Sequence, residues 1–245
     1  FLAATATLEG KSEWAIDAAK RTARHADNDL IDVPGLGLLQ HFYAIPDYVL
    51  VKFGRWDEIL NAIDGRRDLA YPQLIRHYAR GMAFLGKDDL DQARQELTKL
   101  RSQASMPVID SLIIGVNAAR SVASIAEGVL AGEIAASEGN FDQAIASLQE
   151  AVIVEDALNY MEPPDWFFSV RHHLGAVLLE ADRPEEAIVV LEKDLKTFPK
   201  NGWALHGLRA AYRALGDDQN LENINMELEG AWATADTELI SSRIK

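Results

Sequence analysis

An all-α fold, built as an array of antiparallel helix hairpins, is what this sequence predicts, and three observations predict it. The stretch GNFDQAIASLQEAV at 139–152 superposes without a gap on DRPEEAIVVLEKDL at 182–195. The same frame recurs at GKSEWAIDAAKRT from Gly10, GRWDEILNAI from Gly54, DDLDQARQELTKL from Asp88 and GDDQNLENINMEL from Gly216. Around each of these turns, small residues stand where two helix backbones must approach closely. Self-similarity at such spacing is the mark of a repeat architecture.

The elements follow in order. The first unit turns at Gly10 and lacks much of its leading helix; the second turns at Gly54, with Pro46 in its first helix and Ile59 where the other units mostly carry Ala. The position five residues after each turn is Ala15, Ile59, Ala93, Ala144, Ala187 and Leu221, at intervals of 44, 34, 51, 43 and 34. Because the segments around the turns align without gaps, the excess over 34 belongs between units, in inserts near 27–40, 103–117 and 156–166. Before a turn comes an apolar helix with small residues, such as Leu174, Gly175 and Leu178, or Ala131, Gly132 and Ala135. After it comes a helix with Ala at the crossing and a large apolar residue four positions on. Each hairpin leaves one face bare, and stacking neighbours cover it. The array is expected over 1–231, with 232–245 as a capping helix or tail in which Trp232, Ala235 and Leu239 share a stripe.

Composition narrows the function classes. A charge of −14, from 24 Lys and Arg against 38 Asp and Glu, repels phosphate backbones and anionic lipid headgroups, so no nucleic-acid partner is expected. The chain has no cysteine, which removes disulfides, thiolate metal sites and a cysteine nucleophile. Apolar runs such as VIDSLIIGV at 108–116 fall far short of the about 20 residues of a membrane helix, so no membrane insertion is expected. The start FLAATATLEG, already helical in pattern and without Met, suggests a piece of something longer, and the compartment, cytoplasmic or periplasmic, stays open.

The pattern resembles the tetratricopeptide repeat. Leu174-Gly175, Leu178, Ala187, Leu191 and Pro199 stand at that family's spacing, and Leu208, Tyr212 and Gly216 echo it in the last unit. The resemblance covers about six units and implies a right-handed superhelix, an α-solenoid whose first helices line a concave groove. It also implies the groove residues, by the phase of the motif: His41 and Tyr48, then Tyr78, Glu133, His172, and finally Trp203, His206 and Arg213. His173 then turns roughly 100° away from the groove. Family members that grip terminal carboxylates do so through Lys and Asn; here the matching places hold Ala44, Tyr78, Val129, His172 and His206, so that specificity does not carry over.

The insert NYMEPPDWFFSVRHH adds three rim candidates, Tyr160, Trp166 and Arg171, either facing a ligand or plugging the gap between spread units. The turn PGLG at 34–37 lacks the third glycine and the strand of a dinucleotide site, and Arg66 and Arg67 form an exposed basic pair. The reading that follows is a non-catalytic interaction domain with a peptide or protein partner in the groove, and no cofactor or metal is expected. A small-ligand, metal or enzymatic site made by the inserts with His41, His172, His206 and Glu133 is the first alternative, although no tight ligand spacing such as HExxH occurs. Self-assembly into a homo-oligomer is the second.

Overall fold

The computed structural model describes residues 1–62, 65, 66 and 68–244. Thirteen helices run through these residues: α1 (Leu2–Leu8), α2 (Ser12–His25), α3 (Gly37–Lys52), α4 (Trp56–Asn61), α5 (Ala70–Leu85), α6 (Leu90–Ala104), α7 (Pro107–Ser111), α8 (Ala119–Ser137), α9 (Phe141–Asp156), α10 (Arg171–Glu180), α11 (Pro184–Thr197), α12 (Gly202–Leu215) and α13 (Asp218–Ala231). Between α7 and α8 lies a short antiparallel ribbon of β1 (Ile113–Ile114) and β2 (Asn117–Ala118), pairing Ile113 with Ala118 and Ile114 with Asn117. Among the described residues the fold is all-α apart from this ribbon.

Six hairpins account for twelve of the helices: α1–α2, α3–α4, α5–α6, α8–α9, α10–α11 and α12–α13. Each hairpin turns through one residue in the left-handed region, in order Gly10, Gly54, Asp88, Gly139, Asp182 and Gly216, with φ between 57° and 77°. That conformation costs an L-residue its Cβ clearance, and Gly and Asp are among the types that tolerate it. The turns named from the sequence are thus turns for a backbone reason. At the crossings, a Cβ on Gly132 would come within 2.7 Å of Leu148, and one on Gly175 within 2.8 Å of Leu191. Those two leucines lie four residues past Ala144 and Ala187, themselves fully buried. Side-chain caps at Asp89, Asn201 and Asp217 start α6, α12 and α13, and Pro184 opens α11.

The hairpins pack in chain order through their first helices, α3 on α5, α5 on α8, α8 on α10 and α10 on α12. One core cluster runs from Ala3 in α1 to Trp203 in α12. The first and last hairpins also touch each other: Trp203 Nε1 donates to the carbonyl of Thr7 (2.8 Å), and the Trp232 indole occupies the space that a Cβ on Gly10 or Gly202 would need. Phe53 meets Trp203 edge to face at 5.7 Å.

After α13 the chain forms a turn at 232–234 and then runs without helix to Ile244, so residues 232–244 are the tail rather than the capping helix. The Asp236 carboxylate accepts from the backbone N–H groups of Ser12 (2.6 Å) and Glu13 (3.2 Å) at the start of α2. Beyond it the tail runs inward, where Leu239, Ser242 and Arg243 are buried.

Candidate functional site

The first helices carry a polar stripe to the centre of the molecule. Lys52, the last residue of α3, is 6% exposed, and its Nζ lies 2.9 Å from Nδ1 of His172 on α10. His172 Nε2 is 3.3 Å from Oδ2 of Asp194 on α11, and Asn201 Nδ2 donates to the same oxygen at 2.8 Å. The Asn201 amide nitrogen also lies 2.8 Å from His172 Nε2, so the lysine, the amide and the carboxylate all meet on one imidazole. Burial holds the His172 imidazole down to about 4, with neighbouring Lys52 acting the same way. Burial also pulls the Lys52 ammonium well below the usual lysine range. The ammonium sits 3.9 Å from the Trp203 ring centroid, where the π face replaces part of its lost hydration.

A second cluster lies beside it. Glu133 of α8 is 2% exposed, and its Oε1 is 2.6 Å from Nδ1 of His173 and 2.7 Å from Nε of Arg243 in the tail. The Arg243 NH2 group donates to both Glu180 oxygens at 3.1 Å. Ser242 Oγ donates to the His172 carbonyl at 2.6 Å, and the Leu239 carbonyl accepts from Arg209. The tail is therefore held by side-chain and backbone groups of α2, α8, α10 and α12.

Tyr48, Lys52, Tyr78, Trp166, His173 and Arg243 surround a central cavity of about 20 Å³, room for about one water molecule. This corrects the expectation of an open groove. His41, Tyr48, Tyr78, Glu133, His172, Trp203 and His206 are all 5% exposed or less; of the groove candidates only Arg213 faces solvent. The cause is threefold: the end hairpins meet, the tail fills the middle, and Trp166 of the insert packs edge to face on Tyr48 and Tyr78, each at 5.3 Å. His41 is tied to Tyr71 (2.9 Å), and Tyr71 to Tyr48 (3.0 Å). His206 meets the Trp232 ring edge to face at 5.2 Å and contacts Arg209. Glu133 partners His173, which the phase of the repeat turned away from the groove but which lines the central cavity, and His172 takes Asp194 instead.

The three insert residues separate. Trp166 is buried, Arg171 is buried and bonded to Asp156 (2.7 Å), and Tyr160 is 83% exposed. All three line a pocket of about 380 Å³ between the insert and the ends of α9 and α11, together with Glu155, Asp156, Glu162, Asp165 and Asp194. Glu155 accepts from the Val170 N–H at the start of α10 (3.1 Å), and burial raises its carboxyl to about 8 against that bond. Arg66 lies on the outside, paired with Asp68 and Asp32; Arg67 falls outside the described residues.

Comparison with protein-family models, with curated proteins and with solved structures returns no match. The site therefore has to be read from its own chemistry. Sequence reasoning missed Lys52, His173, Asp194, Asn201 and Arg243. Lys52 carried one signal, its place four residues beyond Tyr48 on the same helical stripe. Arg243 and Asp194 carried none, because they reach the centre from a tail and from a second helix.

Proposed function

We propose that this protein is a protein–protein interaction module of the tetratricopeptide type, a right-handed superhelical array whose centre receives an extended peptide segment. The single observation that carries the reading is the seating of its own tail. The non-helical residues 236–244 meet the array at intervals, as a peptide ligand would: Asp236 on the α2 N-terminus, Leu239 buried, Ser242 on a backbone carbonyl, Arg243 between Glu133 and Glu180. A helix N-terminus favours the carboxylate and a buried carboxylate demands the guanidinium, so the contacts select sequence, not only shape. Intervals of 34 residues and the Gly and Ala crossings support the repeat type. The partner expected is a protein segment that presents an acidic residue, a leucine and then Ser-Arg-Ile at the tail's spacing, in competition with the tail itself.

The test keeps the whole chain. A protease site is introduced at Ala233–Thr234, both exposed, and the chain is cut there. The tail should remain bound through gel filtration and exchange with a labelled peptide of residues 235–245, whereas a peptide carrying Arg243→Ala should compete poorly. Immediate loss of the tail from a core that stays helical and takes up no labelled peptide would sink the reading.

A further inference from the structure

The geometry points to a second binding site, the pocket beneath the 157–170 insert, for a small organic cation, an ammonium or guanidinium compound that also carries a hydrogen-bond acceptor. The pocket measures about 380 Å³, within the range of small-molecule sites. Its wall bears five acidic side chains, Glu155, Asp156, Glu162, Asp165 and Asp194, against Arg171 as the only basic residue among the described residues that line it. Arg171 is shared between Asp156 (2.7 Å) and Glu155 (3.9 Å), and Lys193 also pairs with Asp156, so the acids of the wall outnumber the basic groups that reach them.

An acidic wall alone is no site, and two buried atoms add the independent sign. Asp194 is 1% exposed; its Oδ2 is engaged by Asn201 and faces His172, whereas among the described residues Oδ1 has no partner in hydrogen-bond geometry, with the Ser169 hydroxyl beside the carboxylate. Trp166 is 3% exposed and its indole N–H likewise has no acceptor among the described residues. A buried polar atom without a partner is costly, and a ligand with one cationic donor and one acceptor oxygen relieves both. Tyr160 and Phe198 in the same lining give the cation aromatic faces. The carboxylates are strung along the wall: among the described residues no three His, Asp or Glu side chains gather as metal ligands. That spacing suits the extended footprint of an organic cation.

The probe is Nα-acetyl-L-arginine amide, with the uncharged isostere Nα-acetyl-L-citrulline amide as control, followed by calorimetry and by the Trp166 indole N–H resonance, assigned through its loss in Trp166→Phe. Saturable binding of the arginine compound with a shift of that resonance is expected, with about a tenfold or greater loss in Asp194→Asn. The citrulline compound should leave the spectrum unchanged. If Asp194→Asn fails to fold, the wild-type resonance and the charged-versus-neutral comparison still decide. Equal binding of both compounds, an unmoved Trp166 resonance, or no saturable binding overturns the proposal.

Discussion

Gly139 and Gly216 have positive φ (77° and 66°) and open space where a Cβ would go, so replacing either isolates the backbone cost of the turn. Gly139→Ala and Gly216→Ala are each expected to lose about 1–2 kcal/mol in denaturant unfolding with no change in the slope of the transition. Loss well below that range at both sites would mean that the turns do not need the left-handed conformation. The histidines give a second prediction at this scale. Burial lowers His41, His172 and His206 to about 4, while in the unfolded chain they titrate near the ordinary histidine value of about 6.5. A folded pKa below the unfolded one means that the unfolded state takes up protons first, so stability falls as pH drops from 6.5 toward 4. Glu155, raised by burial to about 8, and Asp165, also raised by burial, work in the opposite direction, against these three and His173, which burial lowers as well. The expected result is a melting temperature that declines on acidification, and a slope that His41→Phe reduces by about one proton, or ~1.4 kcal/mol per pH unit.

The hairpin was the most legible element, because its turn, its crossing residue and its apolar stripe are all local in sequence. Gly175 is a clean probe of that geometry: a methyl there meets three carbons of Leu191 at 2.8 to 3.0 Å. Gly175→Ala should cost about 1–3 kcal/mol by overpacking, and pairing it with Leu191→Ala should recover part of the Ala cost, a coupling that a double-mutant cycle reads directly. Additive losses would place the clash elsewhere. The inserts were legible as positions but not as structures. The ribbon at 113–118 rests on Asn117, whose side chain donates to the Asn159 carbonyl (3.0 Å) and to Asp165 (2.8 Å), 42 and 48 residues away. Nothing in local periodicity reports a bond of that span. The same holds for Glu155, whose role at the start of α10 depends on where the insert brings Val170.

At the scale of the whole molecule, the sequence carried the repeats but not their closure, and closure is what moved the candidate residues from an open wall to a sealed interior. The stripe containing Tyr48, Tyr78, His172 and Trp203 has the composition of a binding surface and also of a core; only the meeting of the end hairpins and the return of the tail decide between them. Arg243 shows the energetic side of this. Its removal takes a guanidinium partner from Glu133, 2% exposed, and Arg243→Ala is expected to cost about 3 kcal/mol. Closure itself has a sharper signature in hydrogen exchange. In an open array, stability propagates only between neighbouring repeats, so a change in the last unit leaves the first untouched. Here the Trp232 indole packs on Trp203 at 5.7 Å and fills the space beside Gly10, while the Asp236 N–H donates to the Gly10 carbonyl at 3.1 Å. Trp232→Ala should therefore lower amide protection in α1 and α2 as well as in α12, by about tenfold or more, with α6 and α9 much less affected. Protection lost in α12 and α13 alone would describe an open array, whose first and last hairpins are independent and whose tail closes nothing. Loss at both ends would mean that the two ends of the sequence form one cooperative unit, and that any peptide displacing the tail also loosens the first hairpin.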